Sequence, residues 1–152
     1  MSNIERSFWT GDAVPIGDPT AISQIGALCL RDGKSGKEVV LVKSSAGRWI
    51  VPKGWPMTGH TDAEAARIEA WEEAGLHKGQ VSKAPIGGYV TQKRFADGRV
   101  APCHVSLYRI DVKKMTKTYP EAELRKRKWM PLKEAIKKVD DAGLKALLKT
   151  LR

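Results

Sequence analysis

The sequence predicts one α/β domain in which helices cover a mixed β-sheet. Its 152 residues suit a single hydrophobic core, because a second folded domain within that length would be undersized. Hydrophobic residues make up 41% and charged residues 29%, a composition typical of globular proteins. The segments follow the order β-β-β-α-β-β-β-α, which indicates a mixed sheet with helices packed on it. We expect residues 1–20 to form a loose arm and residues 21–152 to form the domain.

Short apolar segments bounded by turn residues predict the strands. The predicted strands are residues 25–30, 38–43, 49–51, 87–95 and 103–112, with a last short strand at the end of the charged segment 121–130. Asp-Gly and Ser-Gly signals between the first two strands predict a hairpin, and the turn ADGR joins the fourth to the fifth.

Two segments have helical patterns. Thr61 and Glu64 have the spacing of a capping box, an alanine-rich run continues to Ala74, and Gly75 stands where a left-handed C-cap is expected. Apolar residues recur at helical spacing over residues 131–151, and Gly143 is the candidate break in that second helix.

Composition also argues against several protein classes. No apolar run approaches the roughly 20 residues that span a bilayer, so we expect no membrane partner. The first ten residues lack a basic region followed by an apolar stretch, which is unlike a secretory signal. The two cysteines, Cys29 and Cys103, are too few for a disulfide scaffold or a zinc site. We expect reduced thiols and a cytoplasmic protein.

The charge of the chain is strongly positive and uneven. It contains 27 Lys and Arg residues against 17 Asp and Glu, a net charge of +10. Residues 111–152 alone contribute 13 basic against 6 acidic residues. Such a field attracts polyanions, among them phosphorylated small molecules and nucleic acid, and charge alone does not choose between them.

Against this background, the first helix carries a cluster of carboxylates. Glu69, Glu72 and Glu73 have i, i+3 and i+4 spacing, which places them on one face. They lie in the second half of the helix, near its negative dipole end, so local electrostatics disfavours the arrangement unless a cation joins it. Mg²⁺ prefers carboxylate oxygens together with water and substrate phosphate, so the cluster is a candidate metal site. The alternative interpretation is a solvated acidic face whose charges are paired with lysines.

The segment from Gly54 to Leu76 resembles the Nudix box, G-x5-E-x7-R-E-U-x-E-E-x-G-U, where U is a bulky aliphatic residue. The matching positions are Gly54, Glu69, Glu72, Glu73, Gly75 and Leu76, with the smaller Ala70 at a U position. The flanking stretches EVVLVKSSAGRWIVPKG and RKRKWMPLKEAIKKV are similar to those of diphosphoinositol polyphosphate phosphohydrolases, a branch that also cleaves diadenosine polyphosphates. The resemblance covers roughly residues 22–140.

The resemblance implies the Nudix α/β/α sandwich and metal-dependent hydrolysis of a phosphoanhydride in a small polyphosphate, of dinucleoside polyphosphate or diphosphoinositol polyphosphate type. It implies that Glu69, Glu72 and Glu73 hold Mg²⁺ or Mn²⁺, that Glu73 or Glu69 accepts the proton of the attacking water, and that Gly54 lets the backbone approach the metal. The candidate phosphate contacts are Lys53, Arg48, Ser45, Arg125 and Arg127.

Two positions depart from the box, since His60 replaces its first glutamate and Ile68 replaces its arginine. Ile68 cannot form the ion pair that positions a catalytic glutamate in the family, although Lys53 or Arg48 would be able to compensate. These departures leave open a second hypothesis, a non-catalytic module that binds nucleotides or RNA through the basic C-terminal region. Oligomeric state is not encoded in any of these features.

Overall fold

The computed structural model describes residues 9–10 and 22–151, so the predicted arm at residues 1–20 lies outside the described residues except for a two-residue strand. The strands are β1 (Trp9–Thr10), β2 (Ile22–Gly33), β3 (Gly36–Lys43), β4 (Trp49–Ile50), β5 (Lys53–Gly54), β6 (Leu76–Val81), β7 (Gly87–Arg94), β8 (Val100–Met115) and β9 (Arg127–Pro131). The helices are α1 (Asp62–Ala74), α2 (Leu132–Lys138) and α3 (Ala142–Lys149). None of the described helices is long and apolar enough to cross a membrane.

The described strands form one sheet with the order β1-β7-β8-β2-β3-β4, to which β5, β6 and β9 are added at β2, β8 and β3. β2 and β8 are parallel, with Ile22 opposite Cys103, whereas β7 is antiparallel to β8 and β3 is antiparallel to β2. The sheet is therefore mixed, as the sequence predicts.

Alternation along β2 sends side chains to two separate cores. Leu28 and Leu30 join the core beneath α2 and α3, whereas Ala27 and Cys29 join the core beneath α1. Helices thus cover both faces of the sheet, which confirms the predicted α/β/α sandwich.

The first helix begins and ends as predicted. The Thr61 hydroxyl accepts a hydrogen bond from the Glu64 amide at 3.1 Å, and the Glu64 carboxylate accepts one from the Thr61 amide at 2.8 Å. Gly75 ends the helix with a φ of 77°, a left-handed conformation that costs glycine little.

The structure corrects the sequence prediction in several strands and in the last helix. The two-residue strand β1 lies in the expected arm, and β5 lies where a turn was expected after Pro52. β6 was not predicted, because its sequence LHKGQV has neither an apolar run nor regular alternation. The C-terminal helix is two helices, and the break lies at residues 139–141 and not at Gly143, which is buried inside α3. Asp141 begins α3 by accepting a hydrogen bond from the Leu144 amide at 3.0 Å.

Candidate active site

The glutamates of α1 differ in how deeply they are buried. Glu69 is 8% exposed and Glu73 is 5% exposed, while Glu72 is half-buried. Glu69 and Glu73 are four residues apart and lie on the face that packs against the sheet, among the alanines of the helix. A buried carboxylate is costly without compensation, so these two side chains mark a site and not a solvated face.

Burial changes the protonation of this pair. The pKa of Glu73 is raised to about 8, first by desolvation on burial and second by the hydrogen bond that Glu73 shares with Glu69. Burial also raises the pKa of Glu69, against the effect of that same hydrogen bond. Among the described residues, the Glu73 Oε1 atom has no hydrogen-bond partner. The pair therefore shares a proton near neutral pH and leaves one oxygen available to a ligand.

Gly54 makes room for the Glu69 carboxylate. It lies in β5 opposite Ile25 of β2, and a Cβ atom built on it would collide with the carboxylate group of Glu69. A side chain at this position would push the carboxylate away from the sheet. The match of Gly54 to the box thus has a steric cause within the protein, while its predicted contact with a metal stays a prediction.

Lys53 lies beside Gly54 in β5, between the buried glutamates and the opposite layer. Its Nζ donates to the Oε1 atom of the buried Gln24 at 3.3 Å. Burial lowers the pKa of Lys53, whereas the negative charges of Glu73 and Asp141 raise it. Gln24 is the one acceptor of this ammonium among the described residues, so donors remain for an anionic ligand.

Gln24, Lys53 and Glu73 line a cavity of about 210 Å³, whereas Gly54, Glu69 and Glu72 are not among its lining residues. Five of the residues predicted for the site line it, namely Ser45, Arg48, Lys53, Glu73 and Arg125. Ser45 and Arg48 reach the cavity from the turn between β3 and β4. This turn is stabilised by a hydrogen bond from the Arg48 amide to the Ser44 hydroxyl at 3.1 Å. The other lining residues were not among the predicted site residues, and no local pattern in the sequence links them to the glutamates. They are Gln24, Ser44, Ala46, Trp49, Ile50, Thr91, Gln92, Lys93, Arg94, Asp140 and Asp141.

Arg125 supplies a cation close to the α1 carboxylates. Its Nε donates to Glu121 at 2.8 Å, and the Glu121 amide in turn donates to the Glu72 carbonyl at 2.9 Å. The charge of Arg125 lowers the pKa of both Glu69 and Glu73, although less than burial raises them. The loop before β9 therefore delivers a guanidinium to the end of α1 where the negative charge accumulates.

Arg127 has a different position. Its Nη1 donates to the Ala74 carbonyl at 2.6 Å and to the Thr116 carbonyl at 2.7 Å, and its guanidinium lies 4.8 Å from the centre of the Tyr119 ring. It is not among the residues that line the cavity. Because it satisfies the Ala74 carbonyl at the C-terminus of α1, Arg127 stabilises the helix. Its predicted phosphate contact remains a prediction.

Metal binding by this site can be judged from its donors. Within residues 22–151, no three His, Cys, Asp or Glu side chains are gathered closely enough to hold a metal ion. The donors that are present still fit an oxygen-preferring divalent cation, because Glu69 and Glu73 are buried together, one oxygen is unpaired, and Glu72 is one turn from Glu69.

Comparison with known proteins agrees with this geometry. The profile of the NUDIX domain matches residues 22–151. The chain belongs to the Nudix family. Relatives in Arabidopsis thaliana include Nudix hydrolase 16, mitochondrial, 34% identical over 70% of this chain and 62% of that protein. Another is Nudix hydrolase 12, mitochondrial, 32% identical over 64% of this chain and 50% of that protein.

The chain thus spans between half and two thirds of the length of these Nudix relatives. Solved structures of low sequence identity share its fold. The C. elegans Ap4A hydrolase has a TM-score of 0.60 at 22% identity, with 86% of this chain and 96% of that chain covered. The E. coli ORF135 protein has a TM-score of 0.62 at 19% identity, with 91% and 93% covered.

The two departures from the Nudix box lie in different surroundings. Ile68 is a half-buried residue on α1, next in sequence to the buried Glu69. His60 is exposed in the turn before α1, with its Nδ1 atom 3.9 Å from the Glu64 carboxylate. Neither residue lines the cavity. Arg125 does line it, and its charge lowers the pKa of both buried Nudix glutamates.

Proposed function

We propose that this protein is a divalent-metal-dependent pyrophosphohydrolase that cleaves a phosphoanhydride bond in a small polyphosphate. Dinucleoside polyphosphates and diphosphoinositol polyphosphates are the two substrate types that its family resemblance suggests. The carrying observation is the buried Glu73 carboxylate, which lines a cavity together with Arg48, Lys53 and Arg125 and has one oxygen unpaired among the described residues. Such a reaction requires carboxylates that bind a metal ion, next to cationic side chains that bind the phosphates.

The residues of the chain have distinct tasks in this proposal. Glu69, Glu72 and Glu73, with the backbone at Gly54, would hold Mg²⁺ or Mn²⁺, which neutralises phosphate charge and lowers the pKa of a bound water. Glu73 or Glu69 accepts the proton of the attacking water at a carboxylate oxygen.

The predicted phosphate contacts differ in what else they bind. Lys53, Arg48, Ser45 and Arg125 line the cavity and would bind phosphate oxygens. Arg127 is the candidate with the least support as a phosphate contact, since its guanidinium already donates hydrogen bonds to two backbone carbonyls.

Replacing one carboxylate by its amide tests the proposal directly. Glu73→Gln keeps the size of the side chain but removes the proton acceptor and a metal ligand, so we expect phosphate release with Mg²⁺ or Mn²⁺ to fall about 100-fold or more. The assay uses diadenosine tetraphosphate and a diphosphoinositol polyphosphate, and Glu64→Gln, at the exposed start of α1, is the matched control. Wild-type protein that releases no phosphate from a panel of nucleoside and inositol pyrophosphates would contradict the proposal.

The second candidate is a Nudix-like module that binds nucleotides or RNA without cleaving them. Ile68 and His60, at two positions of the box, favour it, together with the basic C-terminal region. Such a module would bind RNA with an affinity that falls steeply with salt, in proportion to the number of phosphates contacted. A shallow slope together with metal-dependent turnover rejects it.

A cytoplasmic location is likewise a proposal. It rests on Cys29 and Cys103, which are both buried and free of disulfides, as expected of reduced thiols. Fractionation of cells that produce the tagged protein measures it, and recovery in an organelle fraction would contradict it.

A further inference from the structure

A glutamine is buried in the sheet beside the cavity. Three amide or carboxylate side chains are buried in the described part of the chain, namely Gln24, Glu69 and Glu73. Gln24 is 3% exposed, lies in the otherwise apolar buried run of β2, and lines the same cavity as Glu73. Burying an amide costs free energy that an apolar side chain at this position would not cost. This cost indicates that Gln24 serves the cavity and not the stability of the sheet.

The side-chain oxygen of Gln24 accepts hydrogen bonds from two neighbours. Its Oε1 atom accepts from the Lys53 Nζ at 3.3 Å and from the Cys103 Sγ at 3.5 Å. An ammonium group has only donors, so the oxygen and not the nitrogen of the amide must face Lys53. Alternation along β2 places Gln24 on the same face as Gly26, which lies opposite Lys53 in β5. The pairing of the two strands therefore brings this acceptor to Lys53.

Charged groups around Lys53 act on its ammonium from several sides. Burial lowers the pKa of Lys53 most, the charge of Lys93 lowers it as well, and the charges of Asp141 and Glu73 raise it. Lys93, Asp141 and Glu73 all line the cavity. Within the described residues, Lys53 forms no ion pair with any carboxylate. The ammonium is thus held by the neutral acceptor Gln24, although two carboxylates attract it.

The neutrality of this acceptor determines what the ammonium can do. A carboxylate partner would cancel most of the charge of Lys53, and pairing with Glu73 would also occupy an oxygen that the metal site requires. An amide oxygen orients the ammonium and leaves its positive charge, together with its other N–H donors, for an anionic ligand.

We propose that Gln24 is a positioning residue, which keeps the Lys53 ammonium out of ion pairs with Glu73 and Asp141 so that it meets the phosphate oxygens of the ligand. This inference rests on the proposed function for the presence of a polyphosphate in the cavity. It deepens that function by naming the residue that keeps the phosphate-binding cation unpaired. Because Gln24 acts through Lys53, its effect on phosphate binding should exist only while Lys53 is present.

A double-mutant cycle tests this dependence without turnover. Methylenediphosphonate, whose P–C–P link is not hydrolysed, is titrated into the full chain in Mg²⁺, and calorimetry gives its dissociation constant. Gln24→Met keeps the side-chain length but removes the acceptor, and we expect it to weaken binding about 10-fold, as for one hydrogen bond to a charged group. Lys53→Met should weaken binding about 10-fold to 100-fold. Adding Gln24→Met to Lys53→Met should change the dissociation constant further by less than about 2-fold.

Two further variants sharpen the cycle. Gln92→Met is the matched control, because Gln92 lines the same cavity as an exposed residue and makes no hydrogen bond to Lys53 in the described part of the chain. Its effect on the affinity, whatever the size, should be the same with and without Lys53→Met. If Gln24→Met folds poorly, Gln24→Glu supplies a second test, since it keeps an acceptor but adds a charge that pairs with Lys53. We expect Gln24→Glu to weaken binding about 10-fold or more, and wild-type affinity in it would overturn the inference.

The outcomes separate this inference from the proposed function. Equal losses from Gln24→Met with and without Lys53→Met, no loss at all, or a wild-type protein that does not bind methylenediphosphonate would overturn the inference, even if polyphosphates are hydrolysed. A loss that disappears in the Lys53→Met protein supports it, even in a protein that hydrolyses nothing, and then only the hydrolase proposal fails. A merely structural role of Gln24 would weaken binding in both proteins, so the cycle distinguishes that role from positioning.

Discussion

On one face of the sheet α1 buries alanines and glutamates, whereas on the other face α3 buries leucines. The buried residues of α1 are Ala65, Ala66, Glu69, Ala70, Glu73 and Ala74, and those of α3 are Gly143, Leu144, Leu147 and Leu148. Alanine lets a helix approach the sheet closely but removes little apolar surface from water, while each buried leucine contributes roughly 1.5–3 kcal/mol.

The difference shows that the two faces of the sheet serve different purposes. The leucine face stabilises the fold, because its burial needs no charged groups. The alanine face brings two carboxylates against β2 and β5, and their desolvation opposes folding until a cation or a proton compensates. Stability and chemistry are therefore separable by mutation in this protein.

The largest expected effect on stability is on the leucine face. Leu148→Ala should lower the free energy of unfolding by about 2–5 kcal/mol, because the side chain is fully buried and leaves a cavity. Chemical denaturation measures this loss. The control is Lys149→Ala, at the exposed next position, which should change the free energy of unfolding by less than about 0.5 kcal/mol. Turnover per folded molecule should stay at the wild-type value. A large fall in turnover would show that the two faces are not separable.

A substitution at a glycine on the alanine face should mainly lower the rate of catalysis. Gly54→Ala places a Cβ against the Glu69 carboxylate, and a displacement of about 1 Å at a catalytic group costs on the order of 100-fold in rate. Gly87→Ala is the matched control on the other face, where its Cβ would meet the Leu147 Cδ1 atom at 3.0 Å, the end of a side chain that can shift. Steady-state kinetics of both variants tests this contrast. Equal rates in the two would contradict the role assigned to Gly54.

The third contrast is a pH dependence that only the alanine face should have. Glu73 has a pKa raised to about 8 in the folded protein, above its ordinary value of 4.5, so between these values the folded protein binds a proton that the unfolded chain has released. The free energy of unfolding of the metal-free protein should therefore fall as pH rises through this window, by up to about 1.4 kcal/mol per pH unit, and level off above pH 8.

Denaturation in a chelator at a series of pH values measures this slope. Glu73→Gln should flatten it, and Mg²⁺ should reduce the loss, because a bound cation replaces the proton on the carboxylates. The Leu148→Ala variant should keep the wild-type slope, since its burial involves no titration. A slope that is unchanged in Glu73→Gln would mean that another group is responsible.

Local chemistry determined much of what the sequence predicts correctly. The capping box of Thr61 and Glu64 and the left-handed Gly75 depend on contacts within a few residues, so they can be read directly from the chain. The hairpin of β2 and β3 is likewise signalled by its turn. The strand β6 was missed because its sequence has no periodicity and it forms by pairing with the distant β8. The break before α3 was placed at Gly143, although Asp141 begins this helix through a local hydrogen bond.

The sequence by itself determined that three glutamates share a helix face and that the chain has positive charge for a polyanion. Only the tertiary structure decided that Glu69 and Glu73 are buried while Glu72 is half-buried, that Arg127 closes the end of α1, and that Asp140 and Asp141 face the same cavity as Glu73. The physical reason is that helical spacing is a local property. Desolvation and the meeting of two opposite layers depend on how the whole sheet is assembled.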